Sequence, residues 1–304
     1  MKTPLINAEN LARQLGLPAL YFKREDLHPY GSHKGRSIPK MIEKYTTEGI
    51  CDFVISSSGN AALAAALFIK EHNEKNPTNK LNLKIYIGYK IDKEKLARLL
   101  QVTRLPLLQK IKNLFKGIKP EIKIHQTLNP RQSAFLAEKN NKGKNLRQST
   151  DDTALLGYED LSNELSQIPN LEAIFIPTSS GTTAQGLYLG FNKKNLKPKI
   201  YPVQTTACHP FAQNPIPEDP SLAKAIVDKI ARRKPQIEKI TKNNLGKVLI
   251  ITNSELLEAE KIYLSHFPNE KPSYNSLLSL SGLLQEIKNG TVFTGAVICL
   301  FTGK

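Results

Sequence analysis

Short β-rich runs alternate with helical patterns along almost the whole chain. Strands are predicted at 19–23, 52–55, 83–87, 121–125, 173–176, 199–203, 247–251 and 296–301. Several of these runs are apolar enough to be buried on both faces, as strands of parallel sheets are. Between them, apolar residues return at helical spacing: Leu161, Leu165 and Ile168 in one segment, Leu277, Leu280, Leu284 and Ile287 in another. The repeated βα alternation predicts an α/β fold of open, twisted, mostly parallel sheets covered by helices. Eight or more strands over this length divide more readily into two sheets than one. No internal repeat is visible, and the Pro-rich loop at 210–220 reads as ordered surface.

At 304 residues and 40% hydrophobic content, the chain can bury a full-sized core. No apolar run reaches the roughly 18 residues of a spanning helix, and Met1-Lys2-Thr3-Pro4-Leu5 lacks the apolar stretch of a signal peptide, so a cytoplasmic protein is expected. Cys51, Cys208 and Cys299 are too scattered for a disulfide framework, and no HxH or HExxH arrangement supports a metal site. The net charge of +16 invites a nucleic-acid reading. The lysines, however, are spread through 70–84, 110–123, 139–144 and 193–199 without interleaved aromatics, which disfavours that reading. A solvated lysine-rich surface is the simpler account, and its field would also draw in an anionic substrate or cofactor.

Chemistry concentrates in four places. Pro29 and Gly31 break a strand, Ser32 can cap, and a helix follows with Ile38, Met41, Ile42 and Tyr45 as its apolar stripe. Lys34, four residues before Ile38, lies on that inward face. It is either a lysine snorkelling from a helix start or a desolvated one placed to form a Schiff base. The run Ser57-Ser58-Gly59-Asn60 sits between a strand and the small-residue helix at 61–66. Its amides and hydroxyls suit a carboxylate, or it is an ordinary serine-rich turn. Thr178-Ser179-Ser180-Gly181-Thr182-Thr183 is again strand, loop, helix. It lacks the lysine of a nucleotide P-loop, which leaves a phosphate monoester or a plain hydroxyl-rich cap. Thr302, after the last strand, lies where ligands of open α/β sheets bind.

Taken in this order, Gly31-Ser32-His33-Lys34, Ser57 to Asn60, Ser179 to Thr183 and Thr302-Gly303 resemble the tryptophan-synthase-β-like, fold-type II family of pyridoxal-5′-phosphate (PLP) enzymes. Weaker similarities at Thr3-Pro4-Leu5, Leu156-Gly157-Tyr158, Tyr201-Pro202-Val203-Gln204 and Pro272-Ser273 extend the resemblance over essentially the whole chain. The resemblance implies Lys34 as the Schiff-base lysine and catalytic base. Asn60 would face the cofactor, and Ser57, Ser58, Gly59 and Asn60 would hold the substrate carboxylate. Ser179, Ser180, Gly181, Thr182 and Thr183 would bind the PLP phosphate, with Thr302, or else Ser273, as neutral partner of the pyridine nitrogen. The cup has one glycine, Gly181, where relatives often have three or four, so more of the phosphate contact falls to hydroxyls.

The expected architecture is two domains with the cofactor cleft between them. Residues 34–145 form a smaller one carrying the lysine and the substrate loop; 1–33 plus 146–304 form a larger one carrying the cup. The expected activity is a lyase acting at Cβ or Cγ of a small amino acid, first a threonine synthase converting O-phosphohomoserine to threonine. A serine/threonine dehydratase comes second, then cysteine-synthase-like β-replacement; a non-catalytic PLP-binding or basic nucleic-acid-binding protein is the reading from another class. The expected partners are the amino-acid substrate and a second copy of the chain, with no membrane.

Overall fold

The computed structural model describes residues 1–57, 59–91, 93–103, 121–212, 220–230 and 232–303. Ser58, Lys304 and most of the 210–220 loop and of the 110–123 basic run therefore lie outside the described residues. The fold is α/β with two mostly parallel sheets. Each of the eight runs read from the pattern carries a strand. The chain forms two compact units, residues 1–33 with 154–304, and residues 34–153.

In the larger unit, β1 (Leu5–Asn7), β2 (Ala19–Arg24), β7 (Leu171–Pro177), β8 (Lys199–Thr205), β9 (Leu249–Ile251) and β10 (Ala296–Phe301) form one sheet in the order β1-β2-β10-β7-β8-β9. Only the β1–β2 pair is antiparallel. Every residue of β10 is buried, because each face of the sheet meets a helical layer. Val297, Cys299 and Phe301 pack with the helices Asn253–His266 and Tyr274–Lys288. Ala296, Ile298 and Leu300 pack with Glu159–Leu165, Thr182–Asn192 and Lys234–Asn243. From β7 the chain proceeds to β8 and β9 on one side, then returns to lay β10 on the other. The strand order therefore reverses between β7 and β10.

In the smaller unit, β3 (Asp52–Ser56), β4 (Asn82–Gly88), β5 (Ile122–Thr127) and β6 (Lys144–Asn145) run parallel in the order β5-β4-β3-β6, so the order reverses at β3. Val54 packs with Ala134 and Ala137 of the helix Pro130–Lys139. The helices Lys34–Thr47 and Asn60–Lys75 pack on each other. The stretch after β6 stays with this unit: Tyr45 donates to Asp151 at 2.5 Å and bonds Thr153 at 3.2 Å, and Gln148 donates to Ser37. No helix among the described residues is long and apolar enough to cross a membrane.

The segment Lys23-Arg24-Glu25-Asp26 is held in place by interior ionic contacts. Lys23, 2% exposed, donates to Thr3 O at 2.7 Å and pairs with Glu164 at 2.5 Å. Glu25 accepts from the Thr3 hydroxyl at 2.5 Å, and Arg24 grips Asp26 through two bonds of 2.9 Å while pairing with Glu270. Removing one member of a buried pair strands the other charge. Lys23→Met should therefore cost about 3 kcal/mol of stability, read from the urea midpoint at unchanged slope. A loss below about 1 kcal/mol would show the pair to be solvated in solution.

Candidate functional site

Both reversal points carry a loop that leads directly into a helix. Ligands of open α/β sheets bind outside the carboxyl ends of strands at such points.

In the larger unit the loop after β7 is tied down before it turns. Thr178 N donates to Val203 O at 2.8 Å, its hydroxyl donates to Ile176 O at 2.6 Å, and Gln204 donates to Thr178 O at 3.2 Å. Gly181 then stands at the start of the helix Thr182–Asn192 with φ +87°. A side chain there would meet Ile237 at 3.0 Å and Phe211 at 3.2 Å, so both the backbone conformation and the space call for glycine. The N-cap residue is Gly181, which has no side chain to cap the helix start, and a helix N-terminus is a favourable place for an anion. By contrast, Asn253–His266 has a full capping box built from Thr252 and Glu255. Gly186 lets the same helix sit against Glu159–Leu165 and its flank, since a Cβ there would fall 2.7 Å from Tyr158.

The hydroxyls of the loop divide by use. The Ser179 oxygen accepts from Val227 N and Asp228 N at 3.2 and 3.1 Å, and Ser180 bonds Thr182 at 2.9 Å. Among the described residues the Thr183 hydroxyl, on a residue 6% exposed, has no hydrogen-bond partner. Thr302 is similar: it is 4% exposed, and its hydroxyl has no partner among the described residues. Phe175 of β7 lies opposite Cys299 of β10, so the strands end side by side. Strand alternation puts Thr302 on the face of Leu300, the face covered by Thr182–Asn192. The structure thus brings the cup and Thr302 together at one reversal point. Ser273, the other candidate for the pyridine nitrogen, accepts from Ser276 N as cap of its helix and donates to Gly303 O at 2.5 Å.

In the smaller unit Lys34 opens the helix Lys34–Thr47 and is half-buried, while Ile38, Met41 and Ile42 are fully buried below it. Ser57, Gly59 and Asn60 occupy the end of β3 and the start of Asn60–Lys75. Gly59 N donates to the Ser57 hydroxyl at 3.3 Å. As at Gly181, a glycine stands as the N-cap of a helix, whose N-terminus is a favourable place for an anion. Burial pushes the Cys208 and Cys299 thiols up, so neither is a ready thiolate.

Sequence reasoning passed over His33, Phe211, Ile237 and Ser276. The hydroxyls of Ser273 and Ser276, spaced for one helix face, were a legible signal; the packing of Phe211 and Ile237 on Gly181 had none.

Two mostly parallel sheets, each with a glycine-led helix start at a reversal point of its strand order, define an α/β protein. The chain belongs to the pyridoxal-phosphate dependent enzyme family, whose family model matches residues 1–104 and 108–299. A threonine synthase of Halalkalibacterium halodurans is 25% identical over 310 residues, covering 99% of this chain and 81% of that protein. The human L-serine dehydratase/L-threonine deaminase is 36% identical over 66 residues, 22% of this chain and 20% of that one. A pyridoxal 5′-phosphate-dependent aspartate racemase has the same fold, with a TM-score of 0.78 at 17% identity over 100% of this chain and 90% of its own.

The cofactor is accordingly PLP, and the residues present fit it. The left-handed Gly181 at a helix N-terminus suits a phosphate monoester, and the Thr183 hydroxyl beside it has no hydrogen-bond partner among the described residues. The nearly buried Thr302 hydroxyl, with no partner among the described residues, suits a neutral ring nitrogen.

Proposed function

We propose that the chain is a PLP-dependent lyase acting at Cβ or Cγ of a small amino acid, and first of all a threonine synthase. The observation that carries this reading is the extent of similarity: it runs along 99% of the chain for the threonine synthase but over only 66 residues for the dehydratase. The net charge of +16 supports a phosphorylated substrate.

PLP, when bound, supplies an electron sink for charge developing at Cα. The N–H groups of Thr182 and Thr183 bind its phosphate, helped by the hydroxyls of Ser179, Ser180 and Thr183. Lys34 Nζ would hold the cofactor and would serve as the base that takes the Cα proton. The Ser57–Asn60 loop binds the substrate carboxylate and so sets which Cα bond is aligned for cleavage. Thr302 Oγ faces the ring nitrogen without holding a proton there as a carboxylate would. That suits departure of a side-chain leaving group over prolonged storage of charge in the ring.

Serine/threonine dehydration is the second reading, favoured by the higher identity of the 66-residue match. The test is a substrate panel. Threonine plus inorganic phosphate from O-phosphohomoserine is the expected result. A 2-oxo acid and ammonia from serine or threonine, without phosphate release, selects the dehydratase. PLP binding with no turnover of any amino acid would point to a non-catalytic protein.

A further inference from the structure

The residue before the proposed Schiff-base lysine holds the residue proposed to face the pyridine nitrogen. His33 N donates to Thr302 O at 3.0 Å, and His33 Nδ1 lies 2.7 Å from the same oxygen. A carbonyl oxygen only accepts, so Nδ1 carries the proton and both lone pairs of Thr302 O are engaged by one residue. On the next residue, Gly303 O accepts from Ser273 Oγ at 2.5 Å and Ser276 Oγ at 3.4 Å. Ser32 and Gly303 form an antiparallel bridge. The main chain of residues 302 and 303 is thus held on both sides while the Thr302 hydroxyl itself has no partner among the described residues. A backbone held in this way confines the Thr302 hydroxyl to the few staggered χ1 positions without engaging the hydroxyl itself.

We propose that His33 is a positioning residue that aims the Thr302 hydroxyl at the cofactor through the Nδ1–H bond to the Thr302 carbonyl. This rests on the reading of Thr302 as partner of the ring nitrogen. It predicts that the side chain of His33 affects PLP only by way of Thr302, and that the donor must stand at the Nδ1 position. Asparagine places its amide N–H where Nδ1 stands; glutamine places it nearer Nε2.

The experiment is a double-mutant cycle on the full chain, read as the PLP dissociation constant by titration of the cofactor-free protein and as the absorption band of bound PLP. His33→Ala and Thr302→Val should each weaken binding about 5-fold, the size of one ordinary hydrogen bond. The double variant should be no weaker than Thr302→Val alone, and His33→Asn should stay within about 2-fold of the parent. Effects that multiply in the double variant would overturn the proposal while leaving the role of Thr302 intact. A silent Thr302→Val, in affinity and spectrum alike, would remove the role of Thr302 and the proposal with it. Should His33→Ala fail to fold, the Asn and Gln variants carry the test. Binding retained by Asn and weakened by Gln supports the proposal, and equal behaviour of the two overturns it.

Discussion

Lys34→Ala is expected to lose covalent retention of PLP and turnover together, the latter by about 10³-fold or more. The same Nζ is assigned two tasks, attachment of the cofactor and removal of the Cα proton, and no other group is assigned to replace it in either. Lys34 is half-buried at the first residue of Lys34–Thr47, above a fully buried apolar stripe. Lys34→Arg should fail equally, since guanidinium keeps the charge but offers no neutral nitrogen. Borohydride reduction of the PLP-loaded parent followed by peptide mapping checks the assignment. The label should fall on residue 34, and a label on any other lysine would refute it.

Gly181→Val should raise the PLP dissociation constant by about 30- to 100-fold. A φ of +87° costs an L-residue about 1–2 kcal/mol, and a β-branched one more. In addition, the new Cβ would lie 3.0 Å from Ile237 Cγ1 and 3.2 Å from Phe211 Cζ, so the loop must shift and carry the first-turn N–H groups off the phosphate. Gly16 supplies the control. Its φ is +69° but nothing lies within 4 Å of an added Cβ, so Gly16→Ala should lower stability slightly and leave PLP affinity unchanged. An equal effect of the two variants on affinity would mean that Gly181 acts through general stability and not through the cup.

Strands such as β7 and β10 were legible because a strand buried on both faces is a continuous apolar run, and β4 because its apolar residues alternate; both patterns are local properties. The loops after β3 and β7 were legible for a similar reason. Serine, threonine and glycine between a strand and a helix announce an uncapped or hydroxyl-lined helix start whatever the rest of the chain does. The strands β1 and β6 were not, being three and two residues long with no alternation to detect.

Sheet order and the partners of individual side chains were not legible either. That β10 lies between β2 and β7, which creates the reversal point beside the cup, depends on contacts between segments far apart in the chain. The division of hydroxyls has the same origin. Ser179 meets the N–H groups of Val227 and Asp228, at separations of 48 and 49 residues, while Thr183 meets none among the described residues. The His33 ring finds the Thr302 carbonyl across 269 residues. Local periodicity and turn chemistry are written in neighbouring residues, and so they select helices, strands and helix starts. Which of those elements end side by side is settled by burial of their shared faces, and no nearest-neighbour pattern in the chain encodes that.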